Sequence, residues 1–372
     1  MPRIGSVAAS FYSVPTSTFG VSVAETDGTA RWDSTGVLIV EVTGGGQTGM
    51  GYAYTAPAAL PIVRDTLAAE ITGHDSFDTG RAFWSMVGAV RNLGWPGVAA
   101  SAISAVDLAL HDLRGKLLSV SLTQLLGGAR HQVLAYGSGG FTSYDVHGLQ
   151  AQLGGWAEQG LRAVKMKIGS APETDVSRVT AAREAIGTGV ALFVDANGAY
   201  DRKQALDFAE RFAASGVSWF EEPVSSDDLA GLRLIRDRGP AGMQVAAGEY
   251  GYTPSYFRTM IEAGAVDTIQ ADSTRCGGPT GFAMVAALAQ AAGIPMSAHT
   301  APSIHASIAA ALPNVINVEY FHDHVRIENM FFDGVPALVE GMLVPDRNRP
   351  GHGLELKAAD AEPYLQARWQ SA

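Results

Sequence analysis

The run VKMKIG at 164–169, followed by LFVDAN at 192–197 and WFEEP at 219–223, decides how this chain folds. In each, a short apolar stretch ends on ionisable side chains: Lys165 and Lys167, then Asp195, then Glu221. The same text continues through VAAGEY (Glu249), IQADSTR (Asp272), MSAHT (His299) and INVEYF (Glu319). From Lys167 onward the steps are 28, 26, 28, 23, 27 and 20 residues. That is about the length of one strand, one helix and their loops.

Eight strand candidates follow from this spacing: 133–136, 163–168, 190–195, 217–220, 243–247, 268–271, 294–298 and 315–319. Most are rich in Val, Ile, Leu or aromatics, as buried parallel strands are. The first and fifth are short or rich in Gly and Ala. Between them lie amphipathic helices with readable ends. Thr253-Pro254 gives a cap followed by proline at the first helical position, and Phe257, Met260 and Ile261 share one face. Asp201 caps a helix carrying Leu206, Phe208, Ala209 and Phe212, which stops at Gly216. Pro279 opens another that ends at Gly293. Eight such repeats predict an α/β fold, a (β/α)8-type TIM barrel.

Residues 1–125 read differently. Strand-like text at 37–42 and 51–54 flanks GGGQTGMG, and a helix is predicted over 99–118. The expected organisation is an N-terminal α+β capping domain (1–125), a catalytic barrel (126–344) and a C-terminal segment (345–372) that completes the cap. Gly44, Gly46 and Gly49 spell GxGxxG, but no helix follows them, so dinucleotide binding is rejected. A hairpin loop accounts for them better.

A formal charge of −11 with 17% charged residues argues against nucleic acid or an anionic membrane as partner. It leaves room for a small anionic carboxylate substrate, whose local field a divalent ion can dominate. One cysteine, Cys276, excludes an internal disulfide and favours a reducing, cytoplasmic setting. The chain begins without the apolar core of a signal peptide, and its longest apolar stretch, 282–296, is broken by Gln290, Gly293 and Pro295. A homo-oligomer is expected.

In a barrel of this kind the strand ends converge on one site. Lys165 and Lys167 alternate with Met166 and so point the same way. Asp195, Glu221 and Glu249 end three consecutive strands. An oxygen-only set of three carboxylates suits a hard cation such as Mg²⁺, which also explains how they tolerate one another. Opposite the lysines, Asp272 and His299 form a tuned base, the carboxylate fixing the tautomer and favouring the charged ring. Lys165 is expected to lower the Lys167 ammonium towards the range where it accepts a proton. Two bases about a metal fit removal of the proton alpha to a carboxylate.

The order KxK, DxN, EEP, GE, D, H, E resembles the enolase superfamily, in particular its mandelate racemase branch. SAISAVDLALHDLRGKLL followed by QLLGG looks like the end of that family's capping domain. The resemblance implies that Asp195, Glu221 and Glu249 bind one Mg²⁺, with Asn197 and Glu222 close by. It implies Lys167 as one acid/base, assisted by Lys165, and His299 as the other, oriented by Asp272. Glu319 would hydrogen-bond the substrate carboxylate or the enediolate. The muconate-lactonising branch carries a Lys where Asp272 stands and lacks the His. Arg275 is a substrate-side candidate without an assigned role.

Each motif alone has a plainer reading. KxK is commonly surface charge, an Asp after a strand a helix cap, and a single His structural. Their joint register is what points to chemistry. His322 and His324 lack an evident third ligand and are expected to flank the mouth. Cys276 is expected to be inert. Arg31, Trp32 and residues 16–19 lie in a loop that, by the family's pattern, closes over the site.

The expected reaction is dehydration of a sugar acid, an aldonate or aldarate. A racemase or epimerase of a 2-hydroxy acid uses the same apparatus, and a barrel that binds metal and ligand without turnover is the third reading. Ser138, Tyr144, Arg275, His322 and His324 are polar candidates for contacting a polyol.

Overall fold

The computed structural model describes residues 1–16 and 24–371. Eight parallel strands close into a barrel: β1 (Val133–Gly139), β2 (Ala163–Lys167), β3 (Ala191–Asp195), β4 (Val217–Glu221), β5 (Gln244–Ala247), β6 (Thr268–Ala271), β7 (Met296–Ala298) and β8 (Val315–Phe321). β8 pairs with β1 through Val318 opposite Ala135, which completes the ring. The predicted helix ends are present as read. Thr253 accepts from the Tyr256 backbone N–H, and Asp201 forms a reciprocal cap with Gln204.

Strand alternation explains both the wall and its lining. Val164, Met166, Leu192, Val194 and Phe220 face the surrounding helices in the main apolar core. Ala163, Phe193 and Trp219 point inward, where Phe193 and Trp219 stack with ring centroids 5.0 Å apart. Register then sets the level of the polar groups. Lys165 lies beside Phe193, which lies beside Trp219. One step higher, Lys167 lies beside Asp195, and Asp195 beside Glu221. The aromatic layer thus floors the polar one.

At the N-terminal end of the chain an antiparallel sheet runs Leu365–Gln370, Ile4–Pro15, Ser34–Gly44, Gln47–Tyr54. It packs on the helix Val98–Leu118 around a second core of Val, Leu, Ile and Ala. The Gly44–Gly49 text is explained here. A Cβ on Gly49 would stand 2.1 Å from the Ala109 carbonyl oxygen, so the glycine lets strand and helix touch. The C-terminal segment contributes a short helix, Ala358–Ala361, and the strand Leu365–Gln370 that pairs with Ile4–Pro15. Among the described residues, no helix is long and apolar enough to cross a membrane.

One buried carboxyl joins the cap to the barrel. Glu328 accepts from Tyr52 Oη (2.7 Å) and Tyr54 Oη (3.4 Å) of the cap sheet, and from Ser303 N (2.9 Å) and Oγ (2.6 Å) of the barrel. Burial raises its pKa to about 7, and these hydrogen bonds only partly oppose the rise. A raised folded-state pKa gives stability that is complete below the ordinary glutamate value and is lost as pH climbs through about 7. Relative to Glu328→Gln, the wild-type chain should therefore lose roughly 3 kcal/mol between about pH 4.5 and pH 7. Thermal denaturation across that range checks this, and parallel curves for the two proteins would contradict it.

Candidate active site

Strand ends bring Lys165, Lys167, Asp195, Glu221, Glu249, Asp272, His299 and Glu319 to one side of the barrel, all buried. Asp195, Glu221 and Glu249 each offer one oxygen, and these atoms lie within 4.8 Å of one another. No sulfur or imidazole belongs to the set, so its chemistry fits a hard divalent cation. The surrounding donors hold the carboxylates in place. Lys167 Nζ meets Asp195 Oδ2 at 2.5 Å. Lys165 contacts Glu221 and lies 2.8 Å from Glu319 Oε1 and 3.3 Å from Asp195 Oδ2. Trp219 Nε1 donates to Glu221 Oε2 at 3.0 Å, and Asn197 N to Asp195 Oδ1 at 2.9 Å.

The facing wall is built on His299. Its Nδ1 is 2.9 Å from Asp272 Oδ2, and its Nε2 is 3.0 Å from Glu249 Oε2 and 3.7 Å from Glu319 Oε2. Burial pushes the imidazole down, but Glu249, Glu319 and Asp272 together raise it to about 9. Asp272 is held in turn by the Thr274 N–H at 2.7 Å. His305 braces the wall from behind. Its Nε2 accepts from Ser273 N (2.9 Å) and its Nδ1 donates to the Thr300 carbonyl (2.7 Å). Glu319 receives Ser138 Oγ at 2.6 Å and Thr300 N at 3.1 Å.

A cavity of about 160 Å³ opens between the walls. Lys167, Asn197, Glu249, Arg275, His299 and Glu319 line it. Lys165, Asp195, Glu221 and Asp272 stand behind this lining. Glu222 is buried beside a larger cleft of about 630 Å³, which shares Asn197 and Tyr250 with the first cavity. Arg275 donates to the Glu249 carbonyl at 3.0 Å, and its guanidinium lies 5.5 Å from the Tyr250 ring. Among the polyol candidates, Arg275 and His324 reach the cavity. Ser138 is spent on Glu319, and Tyr144 donates to Glu25 at 3.3 Å.

Lys165 does not bring the Lys167 ammonium down into the proton-accepting range, contrary to the expectation from their spacing. Burial lowers its pKa and Lys165 adds to this, but Asp195, Glu249 and Glu221 outweigh both, and the net direction is upward. The carboxylates stand closer to this ammonium than spacing alone could reveal. The cap loop lies over the mouth where it is described. A Cβ on Gly28 would fall 2.1 Å from the Ala196 carbonyl oxygen, and Trp32 Nε1 donates to Asp323 Oδ2 at 3.0 Å. Residues 17–19 of the predicted lid lie outside the described residues.

Three contributors escaped the sequence reading: Trp219, Thr300 and His305. Trp219 was within reach of it, because a residue two before Glu221 on a strand shares its face. Nothing in the helical text Pro302–Ala309 distinguishes His305 from an ordinary core histidine.

A closed parallel barrel with acid and base groups at its strand ends, beneath an α+β cap, defines an enolase-type enzyme. The chain belongs to the mandelate racemase branch of the enolase superfamily. A family described as "Enolase C-terminal domain-like" matches residues 148–361, and "Mandelate racemase / muconate lactonizing enzyme, N-terminal domain" matches 23–127. Its relatives are named dehydratases and cycloisomerases, and this chain is a lyase or an isomerase. It is 34% identical to 3,6-anhydro-alpha-L-galactonate cycloisomerase of Streptomyces coelicolor over 84% of this chain and 86% of that one. A mandelate racemase/muconate lactonizing enzyme-like protein from Rubrobacter xylanophilus superposes with a TM-score of 0.94 at 48% identity, covering 98% and 100% of the two chains. L-talarate/galactarate dehydratase from Salmonella typhimurium, liganded with Mg and L-lyxarohydroxamate, gives 0.90 at 25% identity, covering 100% and 95%.

Proposed function

We propose that this enzyme removes the proton alpha to the carboxylate of a sugar acid, an aldonate or aldarate, and completes a dehydration. The observation carrying this reading is that Lys167 and His299 line opposite walls of one cavity beside three clustered carboxylates. Asp195, Glu221 and Glu249 hold Mg²⁺. When bound, the cation supplies the charge that stabilises the enediolate form of the substrate carboxylate. Asn197 and Glu222 flank the carboxylates.

Lys167 takes the α-proton as base. A divalent cation on Asp195, Glu221 and Glu249 would offset most of the negative charge that raises its pKa, giving burial and Lys165, which lower it, more weight. Lys165 fixes the substrate carboxylate, and Glu319, once it carries a proton, donates to the same group. His299, oriented by Asp272, gives its proton to the β-hydroxyl. The β-carbon–oxygen bond breaks, water leaves, and the resulting enol becomes a 2-keto acid. Asp272, 2.9 Å from Nδ1 and outside the metal's carboxylate set, favours the protonated ring, which suits a general acid.

Racemisation or epimerisation is the second reading, favoured by the same two-wall arrangement, in which His299 returns a proton to the face opposite Lys167. The fate of the β-hydroxyl separates the two. A panel of aldonates and aldarates with Mg²⁺ should yield a 2-keto acid from at least one member. A panel giving only inverted α-carbons would leave the racemase, and a panel giving neither product would overturn the dehydratase reading.

A further inference from the structure

The imidazole of His324 has no part in the proton chemistry above, yet it lines the same cavity as Lys167, His299 and Glu319. Its surroundings fix its protonation state by geometry. The Nδ1 atom accepts the backbone N–H of Ala301 at 3.2 Å. A backbone amide can only donate, so Nδ1 carries no proton, and the ring is the neutral tautomer with its hydrogen on Nε2. An imidazolium would need a proton on both nitrogens and would forfeit this contact. Burial, with His299 and Arg275 nearby, pushes the ring's pKa in the same direction, well below the usual histidine value.

The ring is also held from both domains. It stacks on Tyr54 of the cap sheet with centroids 3.3 Å apart and planes within 7°, and Phe321 meets it edge-on at 5.0 Å. Ala301, at φ 38, sits in a backbone region that non-glycine residues seldom adopt, and its hydrogen bond to His324 helps hold it there. Among the described residues, Nε2 has no hydrogen-bond partner. A fixed, neutral donor therefore stands where the 160 Å³ cavity meets an outer cleft of about 250 Å³, which His324 and Arg275 also line.

We infer that His324 is a specificity residue: its Nε2–H donates to an oxygen on the substrate beyond the reacting carbons, selecting polyhydroxy acids over acids that lack that oxygen. A neutral ring that cannot take a second proton is no general acid, so the role is recognition and not proton transfer. This inference rests on the sugar-acid reading above. It adds where the distal hydroxyl or carboxylate is read, and by which atom. In a site built around a committed donor, a substrate without the matching oxygen leaves a buried N–H unpaired.

The test compares wild type with His324→Phe, which keeps the stack on Tyr54 but removes the donor, and His324→Gln, which restores an amide N–H. For each protein, kcat/KM is measured on a turned-over sugar acid and on glycerate, which lacks the distal hydroxyls. The sugar-acid to glycerate ratio should fall about 10- to 100-fold in His324→Phe, carried by KM and not kcat, with partial recovery in His324→Gln. An unchanged ratio would overturn the inference, because a purely structural role would weaken both acids alike. A second readout needs no turnover. In ¹⁵N-labelled enzyme, His324 should remain the Nε2–H tautomer from pH 5.5 to 8, and D-gluconate with Mg²⁺ should shift that proton's resonance. If no acid is turned over, the proposed reaction fails by itself. The resonance then decides for His324: a shift supports the inference, and its absence refutes it.

Discussion

Replacing His299 by asparagine should lower sugar-acid dehydration by about 10³-fold or more, while α-proton exchange initiated from the lysine wall persists. The expectation follows from what the imidazole does that an amide cannot. Asparagine can still face Asp272, so the backbone after β7 keeps its path, but it has no proton to deliver to a leaving hydroxyl. Loss of a positioned general acid costs about 10²–10⁴ in rate, and a poor leaving group such as hydroxide places the loss at the upper end. Exchange of the α-proton depends on Lys167, whose partners Asp195 and Lys165 lie on the other wall. Turnover unchanged in His299→Asn would remove the histidine from the reaction. Loss of both activities together would assign the first proton transfer to His299 instead of Lys167.

The second large effect is expected at Asp195. Its Oδ2 is shared by Lys167 at 2.5 Å and Lys165 at 3.3 Å, and its Oδ1 accepts the Asn197 N–H at 2.9 Å. In Asp195→Asn the amide can keep the Asn197 contact through its oxygen, but its NH₂ then faces two ammonium groups. The cation loses one of its three carboxylates, and affinity should fall by more than about a hundredfold, beyond what loss of an outer partner costs. Lys165 keeps Glu221 and Glu319, so the folding penalty falls mainly on Lys167. Breaking one side of a buried pair costs about 3–5 kcal/mol when nothing replaces it. Isothermal titration with Mg²⁺ reads the first effect and thermal denaturation the second. Trp219 adds an optical report, since its indole N–H is bonded to Glu221 at 3.0 Å and its emission should respond when the cation binds. Wild-type Mg²⁺ affinity in Asp195→Asn would contradict the assigned metal site.

Much of this site could be read from the chain alone because a parallel barrel turns sequence spacing into position. Each apolar run ends at the same rim, so Lys167, Asp195, Glu221, Glu249, Asp272, His299 and Glu319 converge without knowledge of any contact. Local helix ends were legible for the same reason: Thr253 and Asp201 bond to backbone three residues away. What escaped depends on residues far apart in the chain. Glu328 meets Tyr52 across 276 residues, and Trp32 meets Asp323 across 291. No local pattern announces a buried carboxyl that ties cap to barrel, or a histidine locked by Ala301 and stacked on Tyr54. The upward shift of Lys167 was missed on similar grounds. The neighbour at i−2 was visible, while the three carboxylates that outweigh it arrive from other strands.

The central claim is that Lys167 and the Asp272–His299 pair move a substrate α-proton beside a cation held by Asp195, Glu221 and Glu249. Its most direct test is ¹H NMR of the aldonate and aldarate panel in D₂O with enzyme and Mg²⁺. At least one acid should lose its α-proton signal to deuterium or through dehydration, and chelation should abolish that loss. No loss from any acid with Mg²⁺ present, or loss that survives complete chelation, would contradict the account.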